Sequence, residues 1–431
     1  MPFIHYGEAK KAASEKVRSI VEATAVIERA LLVSDLFGRL RIILWAPADG
    51  AAQVRERLAS ELEPVCGSWW TGEVLRVGDA ATSEQSIWES AWAEGRRDVD
   101  VDRLRYLERH RSRTAWFVEA TAPEWRAPEE GPPIVVFYGF KGGLGRSTVL
   151  ASFAIQRARL GERVAVVDFD LDAPGVGSLL SADPDGTIAP WGVVDYLIER
   201  AQGDVPLDHY YHTCRRVAGS GEITVFPAGR VDEQYADKLA RVDLEDAPGT
   251  VFLRLLSDMR ATLAPGWILL DARTGLSEPA GRLLSGIAHL HVLFGASSDQ
   301  NWSGLSVVIN RLGRQRLLAA RPQADVLLVQ GMVPATAMSE KIAREAFAER
   351  AREVFTDLYY AADPDDATFS EDVWYVSDLD SQDAPHAPVA MPYRERLAHF
   401  RDIADVADTL GEGEYTALAE RIAGRFRREE D

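Results

Sequence analysis

The chain has 431 residues, enough for one large or two medium domains with a sizeable core, and its 46% hydrophobic and 27% charged residues are ordinary for a globular protein. A net charge of −19 argues against broad, sequence-independent DNA binding, which rests on clustered Lys and Arg. Two distant cysteines, Cys66 and Cys214, exclude a disulfide framework or a zinc motif and fit a reducing cytosol; no window approaches the ~18 apolar residues needed to span a bilayer, and no basic segment followed by an apolar stretch opens the chain.

In chain order, residues 9–32 interleave Ala, Val, Ile and Leu with Lys, Arg and Glu and predict a helix. Residues 41–46 predict a strand ended by Pro47, 51–62 an amphipathic helix, and 73–77 a second strand. A helix over 83–94 carries Trp88 and Trp92 on one face, and 114–118 predicts a third strand. Residues 121–133 are rich in Pro, Glu and Gly and read as a linker. The expected division is a small α/β unit over 1–128 and a larger domain over 129–431. Trp45, Trp69, Trp70, Trp88, Trp92, Trp116 and Trp125 fall in the first unit and read as core-filling aromatics rather than a recognition surface, because most lie in apolar, regular contexts. His5 and His110 have no ligand-spaced partner, so no catalytic constellation is visible there.

The most informative stretch begins at Ile134. A β-branched run over 134–138 leads into Gly139-Phe140-Lys141-Gly142-Gly143-Leu144-Gly145-Arg146-Ser147-Thr148. An apolar helical segment over 149–160 follows, then a second buried strand over 163–168 and an acidic loop holding Asp168, Asp170 and Asp172. Strand, glycine-rich turn and helix place backbone N–H groups and a helix N-terminus around an anion. Further on, strands are predicted at 222–226, 267–271, 289–294, 324–330 and 389–393. Helices are predicted from 191, at 246–263, 304–318, 340–359, 395–410 and 413–428, with a polar loop over 363–388. This alternation predicts an α/β fold, a mostly parallel doubly wound sheet, with the smaller α/β unit N-terminal to it.

Against the general P-loop pattern G-x-x-x-x-G-K-[ST], Phe140 stands for the first glycine and Arg146 for the lysine. The sequence Lys141-Gly-Gly-Leu-Gly-Arg-Ser147 resembles the deviant Walker A loop KGGxGK[ST] of the MinD/ParA group of P-loop ATPases, matching six of its seven positions. Asp168 and Asp170 match that group's acidic switch I, Asp271 its Walker B carboxylate and Gly275 its switch II glycine, in the same order; the resemblance covers about 134–410. It implies a Mg²⁺-dependent, cytoplasmic ATPase that binds ATP through Gly142, Gly143, Leu144, Gly145, Arg146, Ser147 and Thr148. Ser147, Asp168 and Asp271 would serve the metal. Asp170 would orient the attacking water, and Lys141 would reach the phosphates of a partner subunit in an ATP-bound homodimer. Gln330, ending a strand, would read adenine by its amide, favouring ATP over GTP.

Such a protein is a switch read by another protein, and the N-terminal unit is the natural place for that recognition. The rival readings are a nucleotide-binding scaffold with little hydrolysis and a kinase-like phosphotransferase, the second disfavoured because no tyrosine-rich tail is present. Tyr415, Leu418, Ile422 and Phe426 share one face of the last helix, with Arg421, Arg425, Arg427 and Arg428 nearby. That face suits packing on the core better than a membrane surface, because the acidic residues Glu429 to Asp431 follow it.

Overall fold

The computed structural model describes residues 4–110, 114–117, 122–242, 250–318, 325–334, 336–364 and 373–427. The chain divides into two compact units, Met1–Ser112 and Arg113–Asp431.

The first unit is a five-stranded sheet. Its strands β1 (Arg29–Ser34), β2 (Leu40–Trp45), β3 (Trp70–Arg76), β4 (Arg96–Arg97) and β5 (Leu104–Glu108) lie in the order β3-β2-β1-β5-β4. Side chains alternate between faces. Leu32, Ile42, Leu44 and Leu104 pack under helices Tyr6–Ala23 and Ala48–Cys66, while Leu31, Val33, Ile43 and Trp45 meet Trp88 and Trp92 of helix Thr82–Glu94. Trp45 and Trp92 touch edge to face at 5.4 Å, and the Arg29 guanidinium lies over both, 4.6 and 5.3 Å from their rings. These aromatics are internal packing, as expected.

Two expectations for this region are corrected. The first helix stops at Ala23, and Arg29–Ser34 is a central strand paired antiparallel with β2 and parallel with β5. Its Ala-Leu-Leu-Val run is buried on both faces, and so short an apolar run carries no period that separates helix from strand. The segment expected as a strand from residue 114 is instead a 3₁₀ turn, Thr114–Trp116, within the second unit, and residue 118 lies outside the described residues.

The second unit is built on β6 (Ile134–Gly139), β7 (Arg163–Phe169), β8 (His212–Thr213), β9 (Glu222–Phe226), β10 (Trp267–Ala272), β11 (Leu290–Gly295), β12 (Asp325–Val333) and β13 (Val389–Pro392). They form one sheet in the order β13-β12-β11-β6-β10-β7-β9-β8, and among the described residues only β8 runs antiparallel to its neighbour. The fold class is thus α/β and mostly parallel. β6 shows why its sequence is apolar throughout: Ile134, Val136 and Tyr138 enter the core on one face, and Val135 and Phe137 the core on the other. Helices Thr250–Leu263, Glu278–Leu283, Asp299–Leu318 and Ala337–Leu358 cover the first face, and Arg146–Arg159 and Glu414–Gly424 the second.

The helix expected over 395–410 is three short turns, Glu395–Ala398, Ile403–Asp405 and Thr409–Gly411. Asp402 breaks it by capping the second turn, its side chain accepting from Ala404 N. In the last helix Tyr415, Leu418 and Ile422 are buried against the sheet, and Phe426 meets Trp267 edge to face at 5.5 Å. That apolar face is occupied by core. No helix of the described residues is long and apolar enough to cross a membrane.

The segment leading into β6 is docked on its own unit. Trp116 fills a slot over helix Glu278–Leu283, where a Cβ on Gly281 would come within 2.6 Å of the indole. Its Nε1 donates to Ser277 O at 2.6 Å, and Ala115 N donates to Glu278 Oε1 at 2.8 Å. Trp125 is buried, with Nε1 donating to Pro132 O at 2.8 Å. A boundary at 128/129 would therefore cut away two packed indoles. A fragment beginning at Arg113 is expected to fold cooperatively. One beginning at Glu129 is expected to lose roughly 3–5 kcal/mol per indole removed, read as a lower unfolding midpoint. Equal midpoints for the two fragments would show that the docked segment contributes nothing.

Candidate functional site

β6 and β10 are neighbours, yet the helices that follow them lie on opposite faces of the sheet. The loops after these strands therefore part toward opposite faces at their C-terminal ends, the place where parallel α/β sheets take ligands. The glycine-rich loop lies there. Gly143 and Gly145 hold φ of 77° and 83°, which favours glycine, and a Cβ on Gly142, Gly143 or Gly145 would meet nothing within 4 Å. The loop is an open cradle of N–H groups. Gly145 caps helix Arg146–Arg159, so the positive end of that helix faces the same space. Phe140 is accommodated outside the loop: a Cβ on Gly304 would lie 2.3 Å from its ring, so a glycine on helix Asp299–Leu318 makes room for it.

Behind the cradle stands a set of charges. Asp271 of β10 is fully buried, and both its oxygens are engaged. Oδ1 accepts from Arg146 Nε at 2.5 Å and Oδ2 from Ser147 Oγ at 2.6 Å. Arg146 also donates through a terminal nitrogen to Asp170 Oδ2 at 3.0 Å. Burial raises the Asp271 carboxyl above its ordinary value, and the pull of Arg146 offsets only part of this. Asp168 sits opposite Asp271 on β7. Burial first, and Asp271 second, push its carboxyl up to about 7. Its Oδ2 accepts from Gly175 N and Gly177 N at 2.9 and 3.1 Å, so it staples the acidic loop to the strand end.

Two further links hold the loop after β10. Asp172, in the loop after β7, forms an ion pair with Arg273, and Tyr138 of β6 donates through its OH to Gly275 O at 3.2 Å. Neither pairing has a local signature in the sequence.

Lys141 is half-buried, and among the described residues its ammonium has no hydrogen-bond or ion-pair partner. Thr148 lines a cleft of about 250 Å³ beside the loop, together with Gly143, Gly145, Met332, Tyr393 and Arg394. Gln330 is elsewhere: it is buried, with Nε2 donating to Ala343 O at 3.0 Å, and does not line the cleft. The sequence reading missed Met332, Tyr393 and Arg394. The available signal for Tyr393 and Arg394 was the short last strand, which they directly follow; Met332 lies in β12 beyond Gln330, where the predicted strand ended.

Among the described residues no group of three or more His, Cys, Asp or Glu is arranged to hold a metal alone. A Mg²⁺ ion carried by phosphates needs only one or two protein ligands, and Ser147 and Asp271 offer a hydroxyl and a carboxylate in contact. One terminal nitrogen of Arg146 (Nη1) and Asp170 Oδ1 are buried without partners. A phosphate oxygen and a water would satisfy them. The open cradle and these orphaned atoms fit a nucleotide phosphate chain with its metal.

No known family profile matches the sequence, and no curated protein matches it. Solved structures resemble it in fold. Pyrococcus furiosus cell division ATPase MinD shares 18% identity over 68% of this chain and 99% of its own, with a TM-score of 0.42. The septum site-determining protein MinD of Pyrococcus horikoshii OT3, complexed with Mg-ADP, shares 18% over 69% and 99%, with a TM-score of 0.43. The pNOB8 ParA bound to nonspecific DNA shares 15% over 68% and 98%, with a TM-score of 0.45.

Proposed function

We propose that the second unit is a cytoplasmic, Mg²⁺-dependent ATPase that acts as a nucleotide-controlled switch, dimerising with ATP and signalling to a partner protein. The observation that carries this reading is the open glycine cradle with Ser147 and Asp271 in contact behind it, flanked by two buried polar atoms that lack partners. The motif resemblance to the MinD/ParA group adds the expected roles. Backbone N–H groups of Gly142 to Ser147 hold the phosphates, and Thr148 borders the cleft where the nucleoside would lie. Ser147 and Asp271 would hold Mg²⁺, which when bound neutralises charge on the phosphate oxygens. Asp168, which accepts from two backbone N–H groups of the loop that carries Asp170, would support the metal from behind, and Asp170, whose Oδ1 is buried without a partner, would orient a water. Lys141 stands at the mouth of the loop, free to complete a facing site in a second copy. The N-terminal unit is the proposed seat of partner recognition or regulation.

One observation favours the scaffold reading. Arg146 is tied to both carboxylates, an arrangement that could bind nucleotide and cleave it slowly. Phosphate release by the full-length protein with saturating Mg²⁺ separates the two. The switch reading expects steady multiple turnover with ATP above that with GTP, and the scaffold reading binding without turnover.

A further inference from the structure

Asp170, just past β7, and Asp271 of β10 share one cation among the described residues, Arg146. Its guanidinium is planar, and the fork spans both groups: Nε reaches Asp271 Oδ1 at 2.5 Å and a terminal nitrogen reaches Asp170 Oδ2 at 3.0 Å. A lysine ammonium, a compact charge on one stem, has no such fork with which to span two carboxylates. The other Asp271 oxygen is taken by Ser147 Oγ. The hydroxyl and carboxylate that suit a phosphate-borne divalent cation are therefore already occupied by each other and by Arg146.

The same side chain has a second destination. Its remaining terminal nitrogen is buried without a partner, next to the open cradle. Phosphate oxygens arriving there would offer the guanidinium the bidentate acceptor geometry that it prefers. A move toward the phosphates frees Asp271 and Asp170.

Resting on the nucleotide-site reading above, we propose that Arg146 is a built-in counter-cation that keeps divalent metal off Asp271 and Asp170 until nucleotide phosphates draw its guanidinium away. Metal and nucleotide then load together, and neither carboxylate is left buried and uncompensated at any stage. Arginine in place of the usual lysine is what makes this exclusion effective.

The test is Mn²⁺ binding to the full-length protein without nucleotide, compared between wild type and variants at one pH and read from the loss of the free-ion electron paramagnetic resonance signal. Wild type is expected to bind only in the millimolar range or weaker. Arg146→Gln, which keeps a polar side chain but no charge, should bind at least about tenfold more tightly, because two neighbouring carboxylates then lack a counter-ion. Arg146→Lys, which keeps the charge without the fork, should bind about threefold more tightly than wild type, and it carries the test if the glutamine variant does not fold. A slowly hydrolysed ATP analogue should bring wild-type Mn²⁺ affinity up to the micromolar range. Wild-type protein that binds Mn²⁺ alone as tightly as the folded variants overturns the proposal. So does analogue binding that leaves Mn²⁺ affinity unchanged. Tighter Mn²⁺ binding by the variants with no analogue binding at all would instead overturn the nucleotide-site reading and leave the counter-cation role standing.

Discussion

Replacing Asp170 by Ala is expected to leave nucleotide affinity within a few-fold of wild type while slowing phosphate release by about 10²-fold or more. Asp170 lies just past the end of β7, outside the glycine cradle, so the backbone donors that would hold the phosphates do not depend on it. One of its oxygens is held by Arg146 and the other is buried and unpaired. A carboxylate fixed on one side and free on the other is suited to accept a hydrogen bond from a single water. Alanine removes that acceptor and also one of the two ties on Arg146. If affinity and turnover fall together, Asp170 serves the shape of the empty site, and water orientation must be assigned elsewhere.

Lys141→Ala should retain most of the monomer's affinity for nucleotide, abolish ATP-dependent dimerisation and lower turnover by about 10³-fold, the scale of a cation supplied in trans. In the proposed site Arg146 would already bring a cation to the phosphates, and the cradle N–H groups would supply the remaining donors. Lys141 adds a half-buried charge that has no partner among the described residues of its own chain. The phosphates of a facing copy would give that ammonium a partner. Light scattering with a slowly hydrolysed analogue reads the dimer directly. Wild-type protein that stays monomeric at saturating ATP while hydrolysing it normally would place Lys141 in its own site and end the dimer mechanism.

What was legible in the sequence was local. The β-branched run of β6, the glycines and the helix after them specify their conformations within a few residues, and the carboxylates at 168 and 271 mark strand ends that the sheet brings side by side. What was hidden depends on tertiary contacts. Thr114–Trp116 is shaped by the slot at Gly281 rather than by strand propensity. The pair Asp172–Arg273 joins residues 101 positions apart in the sequence.

Gln330 illustrates the limit of strand-end reasoning. The register of β12 shifts between Gln330 and Val333, and Met332 adopts φ of 57°. The alternation breaks there, so Met332 reaches the cleft while Gln330 stays under helix Ala337–Leu358. A non-glycine residue in the left-handed region is uncommon, and its place on the cleft wall makes it a residue to watch when base preference is measured.

The central claim is that the loop from Lys141 to Thr148 holds the phosphates of a nucleotide with its metal. Isothermal titration of the full-length protein with ATP in the presence of Mg²⁺ tests it most directly. The account predicts a micromolar dissociation constant, roughly −8 kcal/mol. Ser147→Ala should weaken it by about tenfold or more, through loss of a hydroxyl that contacts Asp271 and would hold the metal. Absence of heat with ATP and with GTP, together with an unfolding midpoint that no nucleotide raises, would contradict it.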